Sequence, residues 1–216
     1  MKEVPLVMCL TNTVAANFTA NCLLAVGAKP AMVEAPSEAE ELARTADALL
    51  VNLGTLTALQ AEAIDRAVTV ANTRGIPWVL DPVGVQLLSF RRRLAEALVT
   101  RRPALIRCNA AESAALGATG IPTLETGEVD QIFDRDGTLV KTVTGGVAML
   151  SAVTATGCAQ GGLAAAQLAY GLSPLEAAAT TSRLMKSAGE EAARHADAPG
   201  GFQLALIDAL WRLSHD

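Results

Sequence analysis

Short apolar runs alternate with longer segments of helical periodicity along most of the chain. Residues 6–10, 31–33, 48–53, 78–80, 104–107, 122–125 and 129–133 read as strands, being brief, apolar and bounded by polar or glycine-bearing loops. Between them, 16–26, 38–46, 58–74, 91–99 and 110–116 carry apolar residues at three- and four-residue spacing and read as helices. Ser37-Glu38-Ala39-Glu40 and Ser173-Pro174-Leu175-Glu176 have the pattern of capping boxes, and Gly27 and Gly75 stand where left-handed helix ends are expected. Asp134-Arg135-Asp136-Gly137, between two strand-like runs, predicts a hairpin at the sheet edge. From Cys158 onward the pattern is helical throughout, at 158–170, 174–195 and 202–213. Strands apolar on both faces and each followed by a helix predict a mostly parallel sheet. With no internal repeat or shift of composition, the expectation is one three-layer α/β/α domain spanning 1–216.

Composition narrows the choice of function. The chain is 51% hydrophobic, 18% charged and 3% aromatic, which excludes disorder and suits helices packed on a buried sheet. With 17 basic against 22 acidic residues and a net charge of −5, it offers no general attraction to nucleic acid. The cluster Arg91-Arg92-Arg93 and the pair Arg101-Arg102 read as solvated helix faces, Arg91 excepted. No apolar run is long enough to span a bilayer and Met1-Lys2-Glu3-Val4-Pro5 lacks an export signal, so a cytoplasmic protein without membrane contact is expected. Cys9, Cys22, Cys108 and Cys158 are too scattered for a disulfide framework or a zinc site; all but Cys158 lie in apolar surroundings.

In parallel sheets ligands bind beyond the carboxyl ends of the strands. Four loops there carry polar groups: Asn52-Leu53-Gly54-Thr55, Asp81-Pro82-Val83-Gly84, Asn109-Ala110-Ala111-Glu112 and Thr126-Gly127-Glu128-Val129-Asp130. Each alone has an ordinary reading as a turn or helix cap; their joint placement on one sheet edge does not. Thr154-Ala155-Thr156-Gly157-Cys158-Ala159-Gln160-Gly161-Gly162 runs from a small-residue loop into an apolar helix. Unpaired N–H groups at such a helix start suit phosphate, and a thiol at Cys158 is expected to have a lowered pKa. Close packing that needs small residues accounts for the same stretch equally well.

These residues resemble the hydroxyethylthiazole kinases of thiamin salvage, members of the ribokinase-like superfamily. The resemblance rests on Thr11-Asn12 through Asn17-Phe18-Thr19-Ala20-Asn21, on Leu23 to Ala28 with Pro30-Ala31-Met32, and on the four loops above. It continues through Ile106-Arg107-Cys108 before Asn109, Val153 to Ala159, and Pro199-Gly200 with Phe202, all in family order. It implies transfer of the γ-phosphoryl of ATP, with Mg²⁺, to the hydroxyl of 4-methyl-5-(2-hydroxyethyl)thiazole. It implies thiazole contacts from Met32, Asn21, Gly54 and Ala155, with Asn21 reaching across the interface of a homotrimer. It assigns Arg91, Thr126 and Asn109 to ATP, Glu112 and Asp81 to the metal, Ala155, Thr156 and Gly157 to an anion hole, and Cys158 to the catalytic position.

The chain departs from the family pattern in three places. Ala155 and Gln86 stand where the family has glycine, and a backbone needing positive φ at Ala155 would be strained. Only 12 residues, Ser113 to Leu124, separate Glu112 from Glu125, a shorter crossover than the family has. Two other readings therefore remain open: a thiazole- or nucleotide-binding relative with impaired catalysis, and a ribokinase-like kinase of another small alcohol.

Overall fold

The computed structural model describes residues 4–215. Met1, Lys2 and Glu3, part of the amino terminus read above as lacking an export signal, lie outside the described residues. The chain runs β1 (Leu6–Leu10), α1 (Ala16–Ala25), β2 (Lys29–Met32), α2 (Pro36–Ala43), β3 (Ala48–Asn52), α3 (Ala58–Arg74) and β4 (Trp78–Asp81). It continues through α4 (Ser89–Val99), β5 (Leu105–Asn109), α5 (Ala110–Leu116), β6 (Thr123–Thr126), β7 (Asp130–Phe133) and β8 (Leu139–Val143). The helices α6 (Met149–Ala152), α7 (Thr156–Ala169), α8 (Pro174–Ala192) and α9 (Pro199–His215) follow.

Among the described residues eight strands form one sheet in the order β2-β1-β3-β4-β5-β6-β7-β8. The pairings from β2 to β6 are parallel, and β6–β7 and β7–β8 are antiparallel. Because the chain winds one way from β1 to β2 and the other way from β3 onward, the order reverses between β1 and β3, where such folds open a crevice. One face of the sheet packs on α1, α7, α8 and α9, around Leu50, Val79, Leu105, Leu124, Leu163 and Phe202. The other packs on α2 to α5, around Leu49, Leu80, Ile106, Ile64 and Leu98. The architecture is the expected α/β arrangement with helices on both faces of a mostly parallel sheet.

Several local expectations shift. Helix α2 starts at Pro36 after Ala35, without a side-chain cap, so Ser37 lies inside the first turn and the predicted capping box there does not form. Proline accounts for this, since its fixed φ and missing N–H suit the first helical position. The box at Ser173 and Glu176 forms, and two more appear, pairing Thr57 with Gln60 and Asn109 with Glu112. Strand β2 begins two residues earlier than its apolar run, and α6 has no counterpart in the sequence reading. The Asp134–Gly137 turn closes the β7–β8 hairpin, with Asp134 Oδ1 accepting from the N–H groups of Asp136 and Thr138. The short crossover from β5 to β6 holds the two strands parallel and in register from Ile106 and Thr123 to Asn109 and Thr126.

Candidate active site

Strand alternation decides which polar residues meet. Leu50 of β3, Val79 of β4, Leu105 of β5 and Leu124 of β6 all point to the face covered by α7 and α8. Two residues further along each strand, with the same orientation, stand Asn52, Asp81, Arg107 and Thr126. Asn52 and Asp81 are direct partners in the parallel register, so the polar row crosses the carboxyl edge of the sheet.

The row is continuous. Cys158 Sγ accepts from Asn12 Nδ2 at 3.5 Å, and the same amide donates to Asn52 Oδ1 at 2.9 Å. Asn52 Nδ2 donates to Asp81 Oδ2 at 2.6 Å, and Asp81 Oδ1 lies 3.5 Å from Arg107 Nη1. Arg107 Nη2 donates to Thr126 Oγ1 at 2.5 Å, and that hydroxyl donates to the Cys108 carbonyl. Asn12 is pinned by the Ala15 N–H, and Asn52 Oδ1 also accepts from the Gly54 N–H. A Cβ on Gly54 would sit 2.6 Å from Asn12 Nδ2, which accounts for glycine there.

Helix α7 starts over this row. Its N-cap, Ala155, has φ 70 and ψ 2, the left-handed conformation that costs an alanine about 1 kcal/mol or more. The strain expected from the sequence is therefore present. Thr156 Oγ1 donates to the Leu150 carbonyl at 2.9 Å and so does not cap the first N–H groups of the helix, which have no intrahelical acceptor. A Cβ on Gly157 would collide with the Arg107 guanidinium, so the helix start and the arginine share one narrow space. Further along, Gly161 and Gly162 pack against Leu50 and Thr19, so close packing accounts for the glycines of that part of the stretch.

Glu112 is buried and locked. Its Oε1 accepts from the Gly84 N–H at 3.0 Å and its Oε2 from the Asn109 N–H at 2.9 Å, which ties the loops after β4 and β5 together. Asp81 is fully buried, and desolvation raises its pKa to about 6; Arg107 opposes that rise and the Glu112 charge adds to it. The Cys158 thiol differs from the sequence expectation. Burial, then the nearby Asp81 charge, push it up to about 11, outweighing the Asn52 amide, the Arg107 charge and the Asn12 amide. It is a neutral thiol at physiological pH.

A cavity of about 230 Å³ opens beside this row, lined by Arg107, Asn109, Thr126, Thr156 and Gly157. It shares Gly127, Leu150, Ser151 and Lys186 with a neighbouring cleft of about 590 Å³ between the loops at 127–129 and 144–148. A larger cavity, about 1040 Å³, lies at the opposite sheet end around Pro77, Arg101 and Ile121 and contains none of the site residues.

The structure thus brings together Cys158, Gly54, Ala155, Thr156, Gly157, Asp81, Glu112, Asn109 and Thr126. Arg91 is not among them: its Nη1 donates to the Val83 carbonyl at 3.1 Å and closes the loop after β4. Met32 lies at the carboxyl end of β2, 37% exposed, and Asn21 bonds to Asn17 within α1, so neither touches the row. Arg107, Asn12 and Asn52 are the residues that the assignment by motif left without a role. Arg107 had a signal: a charged side chain within a strand otherwise buried on both faces needs a partner or a ligand. Its Nε is buried with no hydrogen-bond partner among the described residues.

Comparison with known proteins gives a consistent result. The profile of the hydroxyethylthiazole kinase family matches residues 1–121 and 118–216. The hydroxyethylthiazole kinase of Cronobacter sakazakii is 44% identical, over 97% of this chain and 88% of its own length. That of Akkermansia muciniphila is 42% identical, over 97% and 87%. A solved hydroxyethylthiazole kinase from Pyrococcus horikoshii superposes with a TM-score of 0.91 at 34% identity, covering 98% of this chain and 89% of that one. A Staphylococcus aureus pyridoxal kinase superposes at 0.63 with 15% identity, a likeness of fold alone. The Cronobacter alignment runs over 236 positions, more than the 216 residues present here, so that relative carries residues without a counterpart. The family match divides at 118–121, between α5 and β6, where the crossover is short.

Proposed function

The chain belongs to the hydroxyethylthiazole kinase family, and from that premise we propose how its residues transfer the γ-phosphoryl group of ATP to the hydroxyl of 4-methyl-5-(2-hydroxyethyl)thiazole. The observation that carries the residue roles is the unbroken polar row from Cys158 to Thr126 beneath the start of α7. Phosphoryl transfer asks little covalent chemistry of a protein; it needs alignment of the two oxygens and stabilisation of charge on the group in flight. Arg107 and the N–H groups at Ala155, Thr156 and Gly157 supply that stabilisation from two sides of one cavity. Thr126 and Asn109 line the same cavity and take the nucleotide phosphates, while the cleft between the loops at 127–129 and 144–148 takes the nucleoside.

Asp81 and Glu112 fit a magnesium ion held through its waters. They are two buried carboxylates whose charges oppose each other, and a hard cation with oxygen ligands relieves that opposition. Bound there, the ion neutralises phosphate charge. Asp81 must be ionised for this, and the amide of Asn52 holds its Oδ2 in place.

The thiazole lies on the β1–β2 side of the row, against Gly54, Ala155 and Met32, with its hydroxyl beside Cys158. Met32 is exposed at that end of the sheet, which suits a pocket completed by Asn21 of a neighbouring copy in a homotrimer. Cys158, a neutral thiol, orients the hydroxyl, whose proton leaves late, as the O–P bond forms and the bond to the leaving ADP oxygen breaks, and passes to an oxygen of the transferred phosphoryl group. The Mg²⁺ requirement, the trimer, a cytoplasmic setting and one kinase domain over 1–216 belong to the same reading. A binder without turnover and a kinase of another alcohol are not favoured, since every member of the row is present.

The test is ADP release from MgATP with and without the thiazole alcohol, with ATP varied to several millimolar. Thiazole-dependent turnover is the expected result. A folded protein that binds the thiazole without turnover overturns the kinase assignment.

A further inference from the structure

One face of α8 carries three polar residues at four-residue spacing, Ser182, Lys186 and Glu190, and each reaches a loop beside the nucleotide cleft. Ser182 Oγ donates to Asp130 Oδ2 at 2.6 Å, and Asp130 Oδ1 in turn accepts from the Gly127 N–H at 3.0 Å. Lys186 is buried, and its Nζ lies 3.3 Å from the Gly127 carbonyl, 2.9 Å from that of Glu128, 3.1 Å from that of Gly145 and 3.5 Å from Asp130 Oδ1. Glu190 Oε1 accepts from the Gly146 N–H at 2.7 Å.

Gly145 and Gly146 have φ values of 93 and 83, a region closed to most side chains. That pair of conformations turns the Gly145 carbonyl toward Lys186 and the Gly146 N–H toward Glu190. Two loops that leave the same end of the sheet from different strands, after β6 and after β8, are thus fastened to one helix by one ammonium group. They are the two walls of the 590 Å³ cleft.

We infer that Lys186 is a positioning residue of the nucleotide site, setting the gap between the loops at 127–129 and 144–147, and the inference rests on the kinase reading above. An ammonium has three protons, and four acceptors already surround this one, so it has no donor to spare for a phosphate. Its effect is on the shape of the cleft. Buried lysines are rare unless paired, and in this one the charge is paid for by three carbonyls and a carboxylate, with geometry as the return.

The test compares the wild type with Lys186→Met and, because a buried change can impair folding, with Glu190→Ala, whose side chain is exposed. Steady-state kinetics give KM for ATP and for the thiazole alcohol separately, and calorimetry with MgADP gives nucleotide affinity independently of turnover. For Lys186→Met the expected result is a rise of about tenfold in both KM for ATP and Kd for MgADP, with KM for the thiazole and kcat within about threefold. Glu190→Ala is expected to give the same split at smaller size. Unchanged MgADP affinity in the folded variants, or equal losses for both substrates, overturns the inference. If the wild type shows no thiazole-dependent turnover the kinase reading fails, while the calorimetric comparison still decides the role of Lys186.

Discussion

The amide of Asn12 bridges Cys158 and Asn52 across the place where the strand order reverses, donating to Asn52 Oδ1 at 2.9 Å and to Cys158 Sγ at 3.5 Å. Asn12 follows β1, Asn52 ends β3, and Cys158 sits in the first turn of α7, so three elements distant in sequence are locked at one point. From there the polar contacts run outward to Asp81 and Arg107. Position and protonation along the row are therefore linked.

The Asp81 carboxyl titrates near 6, so kcat/KM is expected to fall as pH drops through that value. The Asn52 amide lowers this pKa, and Asn52→Leu should move the acid limb to higher pH. A pH–rate profile in which the limb does not move would remove Asn52 from this role.

Stability has the opposite dependence. Because the folded pKa of Asp81 lies above its ordinary value of 3.8, the folded state binds the proton more tightly, and its contribution is largest below pH 4 and lost as pH rises through 6. The stability of Asp81→Asn relative to wild type should improve across that window by up to about 3 kcal/mol, while activity is lost. Denaturant melts at pH 4 and pH 7 measure the difference.

Arg107→Ala should lower kcat by about 10²- to 10³-fold, the usual cost of removing a donor to transition-state charge. Arg91→Ala, which only frees the Val83 carbonyl, should cost less than about tenfold. Parallel kinetics on the two variants check the ranking, and reversal would restore Arg91 to the ATP site.

Ala155→Gly relieves the left-handed backbone at the start of α7. An increase in stability of about 0.5–1 kcal/mol is expected, with kcat retained or raised. Thermal melts and thiazole kinetics read both effects; lower stability would mean that the alanine methyl contributes packing worth more than the strain.

Cys158→Asp places a carboxylate where a neutral thiol stands and should retain or raise kcat; Cys158→Ala should lower it, by no more than about tenfold because the thiol is a poor base at neutral pH. Equal rates for the three proteins would take Cys158 out of the mechanism.

The linear pattern of the chain determined most of the architecture. Apolar runs fixed β1, β3 and β4 to within a residue, periodicity placed α3 and α5 at their observed bounds, and the Asp134–Gly137 turn marked the hairpin. These are local features, set by spacing and turn chemistry within a few residues. The loops after β3, β4, β5 and β6 were likewise legible as polar groups on one edge. Only the tertiary structure decided which groups meet. Arg107 rather than Arg91 faces the start of α7 because strand alternation and register, not distance along the chain, carry it to the row. The Cys158 thiol is raised rather than lowered because desolvation and the charge of Asp81, 77 residues away in sequence, act on it, and neither can be read from the local helix start. Lys186 showed no motif at all; its role depends on two loops that reach the same turn of α8 only when the sheet is assembled.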